Sequence, residues 1–156
     1  MADSPVKLSS AVASGLGAGY VPRAPGTAGS LLGLAIGGGL LDRGHWPLAA
    51  GAIVASIIGL IAIPRTGAET RDPGWIVIDE IAGQMVALLG LPYLSGSGVL
   101  LAFMLFRLFD IRKPWPISLA DSRADALGIM ADDWLAGGFA AILLLLFRLI
   151  WPGTGL

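Results

Sequence analysis

Four long stretches of this chain contain no charged residue, and they restrict its fold more than any other feature. They run over 24–41, 44–64, 81–106 and 134–147. A helix that crosses the hydrocarbon core of a bilayer needs about 20 mostly apolar residues. The middle of the third stretch, 91–98, is rich in turn-forming residues and predicts a hairpin between two helices. The sequence therefore predicts an all-α integral membrane protein.

We expect about five helices in a single domain that comprises residues 1–156. Their expected bounds are 27–42, 46–64, 75–91, 97–113 and 131–151. The first ten residues are polar and the apolar stretch after them is interrupted by glycine, so no cleaved signal peptide is expected.

The composition excludes several classes of protein. Hydrophobic residues make up 55% of the chain and charged residues 13%, against about 25% charged in typical soluble domains. With 10 basic and 11 acidic residues there is no excess of positive charge for nucleic acid. No cysteine and a single histidine, His45, exclude disulfides, thiolate metal sites and a cysteine nucleophile.

The positions of lysine and arginine predict the orientation, because cytoplasmic loops carry the excess of both. A cytoplasmic N-terminus leaves only Arg43 and Arg148 on the outer side. Eight basic residues then lie on or near the cytoplasmic side: Lys7, Arg23, Arg65, Arg71, Arg107, Arg112, Lys113 and Arg123.

The same orientation brings five acids to the cytoplasmic ends of the helices. They are Asp79, Glu80, Asp110, Asp132 and Asp133. Charges at that depth are costly unless they pair or hold an ion. Oxygen ligands without sulfur favour a hard cation, Mg²⁺ first. Taken singly, the acids also fit simpler roles, with Asp132 or Asp133 as a helix cap and Arg107 with Asp110 as an intrahelical ion pair.

The segment 23–30 precedes the first apolar helix and is expected on the same side. Small residues, the Thr27 and Ser30 hydroxyls and free backbone N–H groups at a helix N-terminus favour an anion such as phosphate. A simple Pro-Gly turn with Thr27 as the cap is the alternative. Four basic residues are candidates for adding positive charge there: Arg23, Arg107, Arg112 and Lys113.

Four sequence blocks resemble the bacterial phosphatidylglycerophosphatase A family. They are GLGAGYVPRAPGTAGSL at 15–31, DPGWIVIDEIAG at 72–83, FRLFDIRKPWPI at 106–117 and GIMADDWLAG at 128–137. The run from Phe106 to Pro116, followed by the Asp132–Asp133 pair, is the most specific part of the resemblance.

The resemblance implies an Mg²⁺-dependent inner-membrane phosphatase that converts phosphatidylglycerophosphate to phosphatidylglycerol, a step that also feeds cardiolipin synthesis. The five acids become its metal-binding and catalytic carboxylates. Arg23, Thr27, Ser30, Arg107 and Lys113 become candidates for binding the substrate. Homo-oligomers are possible, because the glycine-rich helix faces permit self-association.

Two mechanisms are consistent with these residues. In the first, Mg²⁺ activates a water for in-line attack while Asp79 acts as the base. In the second, an aspartyl-phosphate forms. A small divalent-cation transporter or channel subunit is the alternative function, since it would also use acids on glycine-packed helices. A non-catalytic lipid-binding scaffold would leave the paired acids unexplained.

Overall fold

The computed structural model describes residues 4–68 and 73–152, and for residues 4–7 it describes the backbone alone. Within these ranges the chain forms seven α-helices and a short 3₁₀ turn at Ala18–Tyr20, with no β-strand. The helices are α1 Ser4–Ala13, α2 Pro25–Leu41, α3 His45–Thr66, α4 Ile78–Leu88, α5 Gly96–Arg112, α6 Ile117–Asp121 and α7 Ala126–Ile150. The all-helical prediction is confirmed for these residues. Arg71 and Asp72 lie outside the described ranges.

Three of the expected helices agree closely with α2, α3 and α5, whose ends differ from the predicted ones by at most two residues. Local signals explain this agreement. Pro25 occupies the first turn of α2, where its missing N–H costs nothing. Gly67 ends α3 in the left-handed conformation, and the Ser95 hydroxyl accepts from the Gly98 N–H at the start of α5. The hairpin predicted at 91–98 is confirmed.

The other two helix predictions were wrong in their bounds, and two helices were missed. The helix expected at 75–91 is the shorter α4, because the Val77 N–H donates across the chain to the Ala13 carbonyl at 2.9 Å. The helix expected at 131–151 begins at Ala126, where Asp125 caps it by accepting from the Gly128 N–H at 2.8 Å. Helices α1 and α6 were not predicted, so the expected total of about five is too low.

The short helix α4 lies at the centre of the fold. It packs against α2, α3, α5 and α7, and every residue of it except Glu80 and Val86 is buried. Its 11 residues give a length of about 16 Å, about half the thickness of a hydrocarbon core. Helix α4 is therefore an internal helix, enclosed by longer neighbours.

Glycine lets α4 and α7 approach each other closely. A Cβ atom on Gly137 of α7 would lie 2.2 Å from the Gly83 carbonyl oxygen of α4. A Cβ atom on Gly83 would lie 2.6 Å from the carbonyl oxygen of Asp133. Neither position has room for a side chain, and the contact fixes the backbone of Asp133 against α4.

Two of the described helices, α3 and α7, are long and apolar enough to cross a membrane. Large apolar side chains on both are exposed: Ile53, Ile57, Ile61, Ile142, Leu145, Leu146 and Leu149. This pattern favours a lipid environment over water. The five-span topology and the cytoplasmic N-terminus remain predictions.

The adjacent glycines of α7 provide a matched test of this packing. We expect Gly137→Ala to lower the free energy of unfolding by about 1–3 kcal/mol, as overpacking of a filled interface does. Gly138 has no neighbouring atom within 4 Å of an added Cβ. Gly138→Ala should therefore be neutral, or stabilising by up to about 1 kcal/mol. Thermal unfolding in detergent measures both variants, and equal behaviour of the two would contradict the close α4–α7 contact.

Candidate active site

Three carboxylates from α4 and α7 meet inside the fold. Asp79 and Glu80 occupy the first turn of α4, and Asp133 projects from α7. One carboxylate oxygen of each lies within 4.8 Å of those of the other two. Asp79 and Asp133 are buried, and Glu80 is partly buried. We call these three residues the acid cluster.

The position of Asp132 and Asp133 on their helix differs from the expected one. Both were expected to open the helix, but α7 begins at Ala126 and Asp125 is its cap. The alternative in which Asp132 or Asp133 caps the helix is therefore wrong. Their place past the first turn brings both side chains into the buried interior.

The remaining two predicted acids are each paired with a basic side chain. Arg107 forms an ion pair with Asp110 three residues later on α5. Lys113 Nζ lies 2.7 Å from Asp132 and also pairs with Asp121. Among the described residues, no lysine or arginine forms an ion pair with Glu80 or Asp133. Two of the five acids, Asp110 and Asp132, thus pair with described basic side chains, and the other three form the acid cluster.

The two groups lie next to each other. The carboxylate of Asp110 is close enough to that of Asp133 for the two side chains to interact electrostatically. The pair formed by Arg107 and Asp110 therefore lies at the edge of the acid cluster. Its guanidinium therefore places a positive charge beside the cluster.

Lys113 ends α5 and links it to two other segments. Its backbone is left-handed, with φ +44°, and Pro114 follows, so the chain turns back sharply there. Burial of the ammonium group lowers the pKa of Lys113, but hydrogen bonds to Asp121 and Asp132 outweigh this and raise it above its ordinary value. Lys113 is therefore charged at neutral pH. Asp121, on the short helix α6, is a partner that the sequence did not indicate.

The start of α2 lies against the same cluster. A Cβ atom on Gly26 would lie 2.4 Å from Glu80 Oε1 and 3.0 Å from Arg107 Nη1. Ser30 is buried, and its hydroxyl donates to the Gly26 carbonyl at 2.8 Å while lying 3.5 Å from Arg107 Nη1. Segment 23–30 therefore meets the acids, as the sequence indicated.

Not every predicted residue of this segment has a contact with the cluster. Thr27 lies within the first turn of α2 and is partly buried, but the helix cap is Ala24, so the alternative with Thr27 as the cap is wrong. Arg23 is exposed, with a left-handed φ of +70°. Arg112, in the last turn of α5, is exposed as well.

Sequence reasoning missed Gln84, which lies on α4 one turn beyond Glu80. It is the only carboxamide side chain of the chain, which contains no asparagine, and it is completely buried. A lone amide in the third apolar stretch was the signal that could have revealed it.

The cluster has the chemistry of a cation site. Glu80 Oε2 and Asp133 Oδ1 are buried without a hydrogen-bond partner, and buried carboxylate oxygens normally have one. Three neighbouring carboxylates also repel one another unless a cation or protons intervene. All-oxygen donors suit a hard divalent ion. The fold and the site together define an all-helical protein with a candidate metal site beside an arginine.

Comparison with known proteins identifies the family. The family model of phosphatidylglycerophosphatase A matches residues 11–148. The chain therefore belongs to the phosphatidylglycerophosphatase A family, and it is an enzyme of the phosphatase class. No solved structure matches it.

Its curated relatives cover most of the chain. Phosphatidylglycerophosphatase A of Haemophilus influenzae is 39% identical over 135 residues, which are 84% of this chain and 83% of the relative. Phosphatidylglycerophosphatase A of Escherichia coli K12 is 34% identical over 145 residues, 90% and 84% of the two chains. A Bacteroides thetaiotaomicron protein with a provisional phosphatidylinositol-3-phosphatase name is also 34% identical over 145 residues. The cation-transporter alternative gains no support from these relatives.

Gly26 offers a test of the contact between α2 and the acids. We expect Gly26→Ala to lower phosphatase activity by about 10-fold or more, because displaced catalytic groups lose rate steeply. The fold should survive, since the nearest atoms belong to the flexible ends of Glu80 and Arg107.

The matched control is Gly39→Ala on the exposed side of the same helix, where the nearest atom to an added Cβ is 3.9 Å away. Phosphate release and thermal unfolding would be measured for both variants. Full activity of Gly26→Ala would contradict the position of Glu80 and Arg107 against α2.

Proposed function

We propose that this protein is an Mg²⁺-dependent lipid phosphatase that hydrolyses phosphatidylglycerophosphate to phosphatidylglycerol and phosphate. The observation that carries the proposal is the convergence of the acid cluster with Arg107 and the start of α2 in a chain of this family. Metal ligands, a positive charge and a helix N-terminus are what a phosphomonoester requires.

In this proposal Glu80 and Asp133 hold the metal ion, and Asp79 lies beside it in the same cluster. Bound Mg²⁺ would supply Lewis-acid polarisation of a phosphoryl oxygen. Asp110 contributes by keeping the Arg107 guanidinium beside the cluster, where it stabilises negative charge on the phosphoryl group. Asp132 holds Lys113 in place through an ion pair, as Asp110 holds Arg107, and is not assigned as a metal ligand.

The N-terminus of α2 completes the phosphate site. The first N–H groups of a helix have no partner within the helix and favour an anion. Thr27 lies in this turn, and Ser30 connects it to Arg107. We assign both hydroxyls to the phosphate and exposed Arg23 to the remaining phosphodiester of the head group.

The reaction requires a proton acceptor for the attacking water. We assign this role to Asp79, a buried member of the acid cluster. Proton transfer to a positioned carboxylate contributes about 10²–10⁴-fold to rates. The competing route, attack by an aspartate on phosphorus, predicts a phosphorylated protein during turnover, whereas the water route incorporates solvent ¹⁸O into free phosphate and leaves the enzyme unmodified.

A membrane location follows from the substrate and is supported by the surface. Helices α3 and α7 meet the requirements for crossing a bilayer, and Trp46, Trp115 and Trp151 are exposed near helix ends, as interfacial tryptophans are. We propose a multi-pass protein of the bacterial inner membrane whose site faces the cytoplasmic head groups.

The primary experiment is phosphate release from phosphatidylglycerophosphate by the purified protein in detergent. We expect release with Mg²⁺ and none with EDTA, because the acid cluster needs a cation. Phosphatidic acid and phosphatidylinositol 3-phosphate serve as competing substrates, since all three lipids carry a phosphomonoester. Preference for either competitor would contradict the assigned substrate, and full activity in EDTA would contradict the metal.

Substitution of single acids tests the division of the five acids. We expect Asp133→Asn to lower turnover by at least about 100-fold and to weaken Mg²⁺ binding, because it removes a ligand. Asp132→Asn should keep Mg²⁺ affinity and lose less activity, because Asp132 pairs with Lys113 and is not assigned as a metal ligand.

The exposed Asp42 at the end of α2 provides a matched acid outside the site. Asp42→Asn should behave as the unmodified protein in turnover and metal titration. Equal loss of Mg²⁺ affinity in Asp132→Asn and Asp133→Asn would show that Asp132 is also a ligand.

A further inference from the structure

Gln84 is a buried polar side chain that the proposed reaction does not use. Its side chain is 0% exposed, and neither its Nε2 nor its Oε1 has a hydrogen-bond partner. Burial of such an amide without partners destabilises a fold. A methionine or leucine at this position would pack without that cost, so stability alone does not account for a glutamine here.

The backbone places Gln84 on the same face of α4 as Glu80. Residues four apart on a helix are neighbours, and both side chains face α2. Glu80 Oε1 lies 2.4 Å from the Cβ position of Gly26, and Gln84 Cβ lies 3.0 Å from that of Gly33. Ser30, buried on α2 between these two glycines, adds a hydroxyl to the same interface.

The carboxylate of Glu80 is also incompletely satisfied, since its Oε2 is buried without a hydrogen-bond partner. Carboxylates that hold metals are normally oriented by a further hydrogen bond, and loss of that bond weakens metal binding. The amide N–H groups of Gln84 are donors one helical turn away. A buried water, which needs two to four polar partners, is the usual bridge between neighbouring buried polar groups that do not bond to each other directly.

We propose that Gln84 is a positioning residue for Glu80. Its amide donates, through one buried water, to the Glu80 carboxylate and so orients that carboxylate towards the metal. The inference rests on the proposed function in one respect, namely that Glu80 holds a divalent cation. It adds the residue that keeps this ligand in place.

Gln84→Met tests the inference, since methionine has similar length and no amide. Without metal, we expect the variant to unfold at a higher temperature than the unmodified protein, because an unsatisfied amide is removed. Its dissociation constant for Mg²⁺ should rise by about 10–100-fold, while its KM for the lipid at saturating Mg²⁺ stays unchanged. Mg²⁺ titration by calorimetry and thermal unfolding in detergent give both values independently of activity.

Leu88→Met is the matched control, because Leu88 is buried one turn further along the same face and meets Gly37 of α2. It changes the packing of this interface without removing a polar group, so its Mg²⁺ affinity should equal that of the unmodified protein. Should Gln84→Met fail to fold, Gln84→Leu replaces it in the same measurements.

Glu80→Gln distinguishes metal binding by Glu80 from the positioning role of Gln84. If the unmodified protein binds Mg²⁺, Glu80→Gln binds it weakly and Gln84→Met binds it normally, Gln84 has no positioning role and the proposed function stands. If the unmodified protein binds no Mg²⁺, the metal assignment of Glu80 is wrong and the inference is overturned with it. Weaker binding by Gln84→Met but not by Leu88→Met supports the inference.

Discussion

The enclosure of α4 is the constraint on which the rest of this structure depends. A helix of 11 residues is surrounded by four others, so each neighbour must approach its backbone closely. Glycine at 83 and 137 makes this possible against α7, and Gly33 makes it possible against α2, where an added Cβ would lie 2.8 Å from the Ile81 carbonyl oxygen. Because α4 opens with Asp79 and Glu80, the packing that buries the helix also carries two carboxylates into the interior. The close crossing with α7 then adds Asp133 to them.

Charge is distributed unevenly around that interior. Arg107 and Lys113, at the end of α5, each pair with one acid, whereas the acid cluster holds three carboxylates close together. Buried like charges raise the free energy of the folded state unless a cation or protons intervene. The acid cluster is therefore the candidate place for a metal ion among the described residues. The ion pair with Asp110 also holds the Arg107 guanidinium at the border of this cluster.

The sequence predicted much of this arrangement because its strongest signals are local. Apolar stretches bounded by charges, together with Pro25, Ser95 and Gly67, set the ends of α2, α3 and α5. Asp79 and Glu80 were correctly expected near the start of a helix. The start of α7 was predicted too late. The residues that follow the capping residue Asp125 show no clear helical spacing of apolar side chains. The pairing of Asp132 with Lys113 depends on how α5, α6 and α7 come together, and no local pattern encodes that tertiary contact.

The polar groups inside this apolar fold imply that metal and stability are linked. Glu80, Asp133 and Gln84 each present buried atoms without partners, and each such atom lowers the stability of the metal-free protein. A cation that binds the folded state alone repays this cost through mass action, so the apparent stability rises with the concentration of the ion. Substitutions that remove these unpartnered buried groups are then expected to stabilise the fold while they weaken cation binding at the site. Enclosure of α4 underlies this conflict, because the helix that carries Asp79 and Glu80 has no exposed face on which their carboxylates could be solvated.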